Sequence, residues 1–202
     1  MSTSASPRPP AVVVGIDHGP RADRVLDVAV EQAQRWQRPL HILHATRIGL
    51  VPWTVERLRA HEEIARRSYE RAVQKAPELV VTYASQVEDP SPALVTASHT
   101  ASMVVVGAGG HGFPASVVLG ATTHQVASHA RCPVMVVPET GEWPKAGPVV
   151  VGVDAAEHSV PAVELAFAEA SSRQAELVPV HTWWWDEPGP FLAGAEETDE
   201  WA

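Results

Sequence analysis

The sequence predicts an α/β fold: an open, parallel five-stranded sheet with helices on both faces, followed by a partial second copy of the same pattern. Three observations lead there. Short runs rich in valine and isoleucine alternate with segments of helical periodicity. The runs are apolar throughout rather than at every second residue, as strands covered on both faces require. The opening run also returns 137 residues later, in PVVVGVD (148–154) against AVVVGID (11–17).

Residues 1–11 form a polar, Pro-rich leader, expected to be disordered, and VVVGID (12–17) is the first predicted strand. The next segment carries Val25, Leu26, Ala29, Val30 and Ala33 at helical spacing. LHILHATRI (40–48) is a second strand, and 54–75 a longer helix with Val55, Leu58, Ile64, Ala65, Tyr69, Ala72 and Val73 as its apolar stripe. A strand at 79–85, a helix at 91–100, a strand at 103–107, a glycine-rich loop, a helix near 121–130 and a strand at 133–138 complete a domain over 12–138. Right-handed crossovers fix its winding.

Residues 139–148 read as a linker from their Pro, Gly and charge content. Beyond them the 137-residue offset superposes, without a gap, Ala29 on Ala166, Ala33 on Ala170, Leu40 on Leu177 and His44 on His181. That match in one register points to duplication. The second domain is expected to be partial, a strand–helix–strand unit over 149–185 with Trp183, Trp184 and Trp185 at its end. Such a fragment cannot cover both sides of two strands by itself.

Composition narrows the function. Of 202 residues 45% are apolar and 19% charged, which suits a folded core and not a disordered chain. The net charge is −9, and six of the 24 acidic residues fall in a tail (186–202) with no Lys or Arg. The remainder shows no basic excess, so nucleic acid has little electrostatic purchase. One cysteine, Cys132, excludes an intrachain disulfide, and its apolar run CPVMVV marks a buried thiol. No run approaches membrane-spanning length and the leader lacks an apolar core, so a cytoplasmic protein without membrane contact is expected.

The segment with chemistry is VVVGAGGHGFPASVVLGATTHQVASHA (104–130). Gly107, two residues, Gly110, nine residues and Gly120 stand in sequence after a strand end, where ligands bind in open α/β sheets. Residues without Cβ let backbone N–H groups turn toward an anion, and Gly120 opens a helix whose N-terminus favours phosphate.

With this loop, VVVGID, LHILHA and HARCPVMVVP, the chain resembles the universal stress protein family, in its ATP-binding branch and its tandem-domain members. The resemblance covers residues 12–138 and the first part of a second domain. It implies a Rossmann-like fold of the adenine-nucleotide alpha-hydrolase type. It also implies a site that binds ATP (ADP or AMP are the alternatives), with Mg²⁺ carried on the phosphates. Asp17, with Gly15 and Ile16, falls at the ribose and adenine; Ala45 at adenine; Val106 and Gly107 under the nucleoside; Gly109 and Gly110 beside the phosphates. Gly120, Ala121, Thr122 and Thr123 occupy the helix start that receives the phosphate chain. Ala121 departs from the family's Ser or Thr, a loss of about 0.5–1.5 kcal/mol, or tenfold or less in affinity. Gly109 and Gly19 replace a frequent Arg and Ser. The second copy keeps Asp154 but no glycine loop, so one site per chain is expected.

Other chemistries lack their residues. No Gly-x(4)-Gly-Lys-Ser/Thr string exists, and the first strand is not followed by G-x-G-x-x-G. His41 and His44 point to opposite faces of a strand, His124 and His129 are five apart on a helix, and His111 lies in a loop, so no protein-held metal is expected. Asp17 near phosphate leaves slow hydrolysis conceivable, but the loop has no cation to stabilise a transferring phosphoryl group. The expectation is a non-enzymatic stress-response and signalling protein: a nucleotide-dependent switch acting through dimer or domain pairing. The alternative is an interaction protein with a vestigial site that dimerises through the edge strand 133–138.

Overall fold

A computed structural model describes residues 9–19, 21–47, 54–109, 119–138, 147–154 and 157–182. Residues 1–8 of the predicted leader (1–11), most of the linker, Trp183–Trp185 and the acidic tail lie outside the described residues. The chain divides into two units, residues 1–144 and 145–202.

The first unit alternates strand and helix: β1 (Val12–Gly15), α1 (Ala22–Arg35), β2 (Leu40–Ala45), α2 (Val55–Lys75), β3 (Val81–Gln86), α3 (Pro90–Ser98), β4 (Met103–Gly107), α4 (Ala121–His129) and β5 (Val134–Val137). All five strands are parallel, in the order β3-β2-β1-β4-β5. The central strands are the most apolar ones: Val12 and Val14 of β1, Leu40 and Ile42 of β2 and Val104 and Val105 of β4 are all fully buried. The edge strand β3, whose Thr82 and Ser85 are polar, is largely exposed.

The strand order places the reversal of winding between β1 and β4. From β1 the chain winds through α1 and α2 toward β3; it then crosses back through α3 to β4 and continues through α4 to β5. Helices α3 and α4 meet over one face, where Val13, Leu43, Val104 and Val106 pack with Ala93, Leu94 and Val126. Helices α1 and α2 meet each other, joined at the surface by Arg71 and Lys75 on Asp27. In open α/β sheets such a reversal opens a crevice beyond the carboxyl ends of the two diverging strands.

One expectation about α2 needs correction. The predicted apolar stripe runs through Val55 and Leu58 in its first turns, yet Val55 is 63% and Leu58 44% exposed, and the fully buried positions are Ala65 and Ala72. Helical periodicity records which side of a helix is apolar, not how far along its length the sheet extends.

The second unit contains β6 (Val149–Val153), α5 (Val160–Arg173) and β7 (Leu177–His181). The two strands are parallel, with Val149 opposite Leu177, the counterpart at the 137-residue offset of Val12 opposite Leu40.

Candidate functional site

The carboxyl ends of β1 and β4 bring together most of the residues singled out in the sequence. Past the last paired residue of β1, the Ile16 amide still donates to the Leu43 carbonyl at 3.0 Å, so the chain leaves the sheet only at Asp17. Asp17 is exposed, and its Oδ1 accepts the Gly19 amide at 2.9 Å, which bends the chain toward α1. Ala45 ends β2 on the same edge, beside Arg47, which forms an ion pair of 2.6 Å with Asp89 at the start of α3.

Across the reversal, Val106 is buried at the end of β4 and Gly107 follows it half-buried. A Cβ at Gly107 would approach Val25 Cγ2 to 3.3 Å, so the glycine lets α1 pack closely over this strand end. Gly15 has a related role: a Cβ there would meet Leu94 Cδ1 at 3.0 Å. Both glycines thus serve helix packing as well as any ligand.

The return from β4 to α4 is tied down at both ends. The Ala108 amide donates to the Val137 carbonyl at 2.8 Å, and the Gly120 amide to the Ala108 carbonyl at 2.9 Å. Gly109 belongs to this described stretch; Gly110 and the rest of the loop to residue 118 lie outside the described residues. Gly120 occupies the N-cap of α4 and, having no side chain, cannot itself cap the first-turn amides of Ala121 and Thr122; a helix N-terminus of this kind suits an anionic acceptor. Thr123 is placed differently from the other candidates. It is buried, and its hydroxyl donates to the Gly107 carbonyl at 2.6 Å, so it braces α4 against β4 instead of offering its oxygen outward.

Sequence reasoning missed a histidine cluster on the same edge. His44, 2% exposed, places Nδ1 2.8 Å from the Ile16 carbonyl and Nε2 3.1 Å from Nδ1 of His61 on α2. The two rings stack at 5.3 Å between centroids, 22° apart. Burial lowers the proton affinity of His44, with His18 adding to the effect; the Ile16 carbonyl and Asp17 oppose it. His61 is lowered by burial, then by His44, Arg57 and His18. No sequence spacing marks this pairing, since His61 is 17 residues from His44 on another element. In the second unit His181 Nδ1 lies 2.7 Å from the Val153 carbonyl, the counterpart contact at the same offset.

Among the described residues no three His, Cys, Asp or Glu side chains are grouped to hold a metal, and no helix is long and apolar enough to cross a membrane. Cys132 is half-buried against the α3–α4 core, and burial raises its thiol pKa.

Comparison with known proteins follows the same lines. Residues 10–138 match the family model of the universal stress protein family. A universal stress protein of Mycobacterium tuberculosis is 30% identical over 187 residues, an overlap of 85% of this chain and 63% of the relative. The chain thus spans under two thirds of that relative's length. A universal stress protein solved in complex with cAMP superposes with a TM-score of 0.53 at 25% identity, covering 65% of this chain and 98% of its own. One from Archaeoglobus fulgidus, solved with dAMP, shares the fold at a TM-score of 0.52 and 21% identity, covering 63% of this chain and 97% of its own.

Proposed function

The chain belongs to the universal stress protein family, and from that premise we propose that its first unit binds an adenine nucleotide at the carboxyl edge of the sheet. The observation that carries the reading is the meeting of three things at one reversal of strand order. These are the Asp17 carboxylate after β1, the glycines Gly107 and Gly109 after β4, and the N-terminus of α4, which opens on Gly120. A carboxylate suits ribose hydroxyls, and free main-chain amides at a helix N-terminus suit phosphate oxygens. The relative solved with cAMP, at 25% identity, supports an adenine nucleotide as the ligand class.

In the finer form of the proposal the nucleotide is ATP, with Mg²⁺ on its phosphates. Gly15, Ile16 and Ala45 line the nucleoside end; Gly110, Ala121 and Thr122 take the phosphate end. Thr123 acts through its bond to Gly107. Binding stiffens the loop between β4 and α4 and biases pairing with a second copy through β5, an edge strand of the sheet. A cytoplasmic setting belongs to the same proposal, as does the second unit's origin as a partial copy of the first. No chemical step is assigned.

A second reading rests on a specific observation: at the start of α4 one hydroxyl is missing, at Ala121, and another, on Thr123, is committed to Gly107. In that reading the site is vestigial and the protein works by association. The test is direct. The purified full chain is denatured and its released small molecules are identified by mass spectrometry; ATP is then titrated calorimetrically into refolded protein. Adenine nucleotide in the supernatant, or a saturable ATP response lost in Gly110→Asp with the circular dichroism unchanged, supports the first reading. Neither signal, at any nucleotide, leaves the second.

A further inference from the structure

The first residues of α2 stand clear of the sheet. Positions 55–60 are all exposed, and the first residue drawn against the body is His61, through its ring on His44. A carbonyl oxygen only accepts hydrogen bonds, so the 2.8 Å contact with the Ile16 carbonyl requires the proton of neutral His44 on Nδ1. Its Nε2 is then an acceptor, and the 3.1 Å contact requires Nδ1 of His61 to donate. The chain therefore runs from His61 to His44 to Ile16 with both rings neutral. A first added proton, on Nε2 of His61, leaves both of these hydrogen bonds in place. A second must sit on Nε2 of His44, facing the N–H of His61, donor against donor and cation against cation. His44 is buried and tied to Ile16, so His61 yields.

We propose that His44 and His61 form a proton-sensitive latch that holds the first turns of α2 to the sheet at neutral pH and releases them on acidification. The groups facing the pair set the sign. His18 beside β1 and Arg57 on α2 add positive charge, and Asp17 supplies the opposing negative charge at His44. Burial heads the causes for both rings, and both bind protons less readily than free histidine. The closed form thus holds fewer protons than the open one. Opening becomes easier as pH falls below the ordinary histidine value of about 6.5, by up to about tenfold per pH unit for each extra proton taken up. The latch acts one residue from Asp17 but does not depend on a nucleotide being bound there.

Amide hydrogen exchange of the ligand-free full chain, corrected for intrinsic rates, tests this at pH 7.5, 6.5 and 5.5. Between 6.5 and 5.5, amides 57–64 should lose about tenfold protection relative to those of α1. His61→Gln should abolish that loss, because the Gln amide can donate to or accept from His44 without titrating. Parallel protection of α2 and α1 across the range, or the same loss in His61→Gln, overturns the latch. Imidazole NMR gives a second measure: His44 titrating at its ordinary value, unmoved by the substitution, also overturns it. A protein that binds no nucleotide but shows the α2 loss defeats the proposed function alone.

Discussion

Gln37 and Gln174 stand 137 residues apart, and both adopt left-handed backbone, at φ 52° and 51°. Around them the two units agree bond for bond. Arg38 and Ala175 each donate their amides at 2.9 Å, to Ala33 and Ala170; Val12 and Val149 donate to Pro39 and Glu176 at 2.8 and 2.7 Å. Burial does not follow suit. Val13 is 4% exposed and Val150 61%; Val30 is 0% and Phe167 63%; Leu43 is 3% and Val180 42%. In the first unit Val13 and Leu43 pack with residues of α3 and α4, and Val30 lies on α1, which meets α2. The second unit has no described counterpart of those helices. The lesson is about range: a strand–helix–strand path sets its backbone within some 35 residues, whereas a core depends on elements that come much later in the chain.

The sharpest way to break this comparison is to place a charge at matched positions. Val30→Asp buries a carboxylate with no partner and should cost more than about 3 kcal/mol in urea denaturation followed by circular dichroism. Phe167→Asp, on an exposed helix face, should stay within about 0.5 kcal/mol. Equal losses would mean that Phe167 is covered in solution. Repeating the measurement at two protein concentrations would then tell whether a second chain covers it.

A smaller effect separates the two strand-end carboxylates. Asp17 is exposed at the proposed nucleotide site, whereas Asp154 Oδ1 accepts the Ser159 hydroxyl at 2.6 Å and the same oxygen of Ser159 accepts the Asp154 amide at 2.9 Å. Asp17→Ala should weaken ATP binding about tenfold or more, the worth of a hydrogen bond to a charged group. Asp154→Ala should leave it within about twofold, with calorimetric titration as the measure for both. Equal losses would remove the asymmetry between the two strand ends.

Most of the architecture was legible in the sequence because it is written in short-range patterns. Apolar runs such as VVVG and MVVVG mark buried strands wherever they occur, and the repeated GID and GVD endings expose the offset directly. What could not be read depends on contacts between distant elements. The exposure of Val55 and Leu58 is set by what the rest of the fold places against α2, not by the helix's own periodicity. The tie of Thr123 to Gly107 spans 16 residues, and the pairing of His44 with His61 joins a strand to a helix. Gly15 matched a ligand pattern, and its close approach to Leu94 adds a packing reason that no local spacing reveals.

The mildest test returns to the two glutamines. Both are exposed and end a helix in a conformation that costs a residue with a Cβ about 1–2 kcal/mol, while glycine carries an entropic penalty of about half that. Gln37→Gly should therefore stabilise the first unit by about 0.5–1 kcal/mol, read as a higher urea midpoint. Gln174→Gly relieves the same strain, but in a unit with a two-stranded sheet and exposed apolar side chains. Its gain should appear as slower hydrogen exchange across α5 and β7, with the main midpoint unmoved. A shift of the main midpoint by both substitutions alike would show the two units unfolding as one, and the contrast in burial would then have no counterpart in cooperativity.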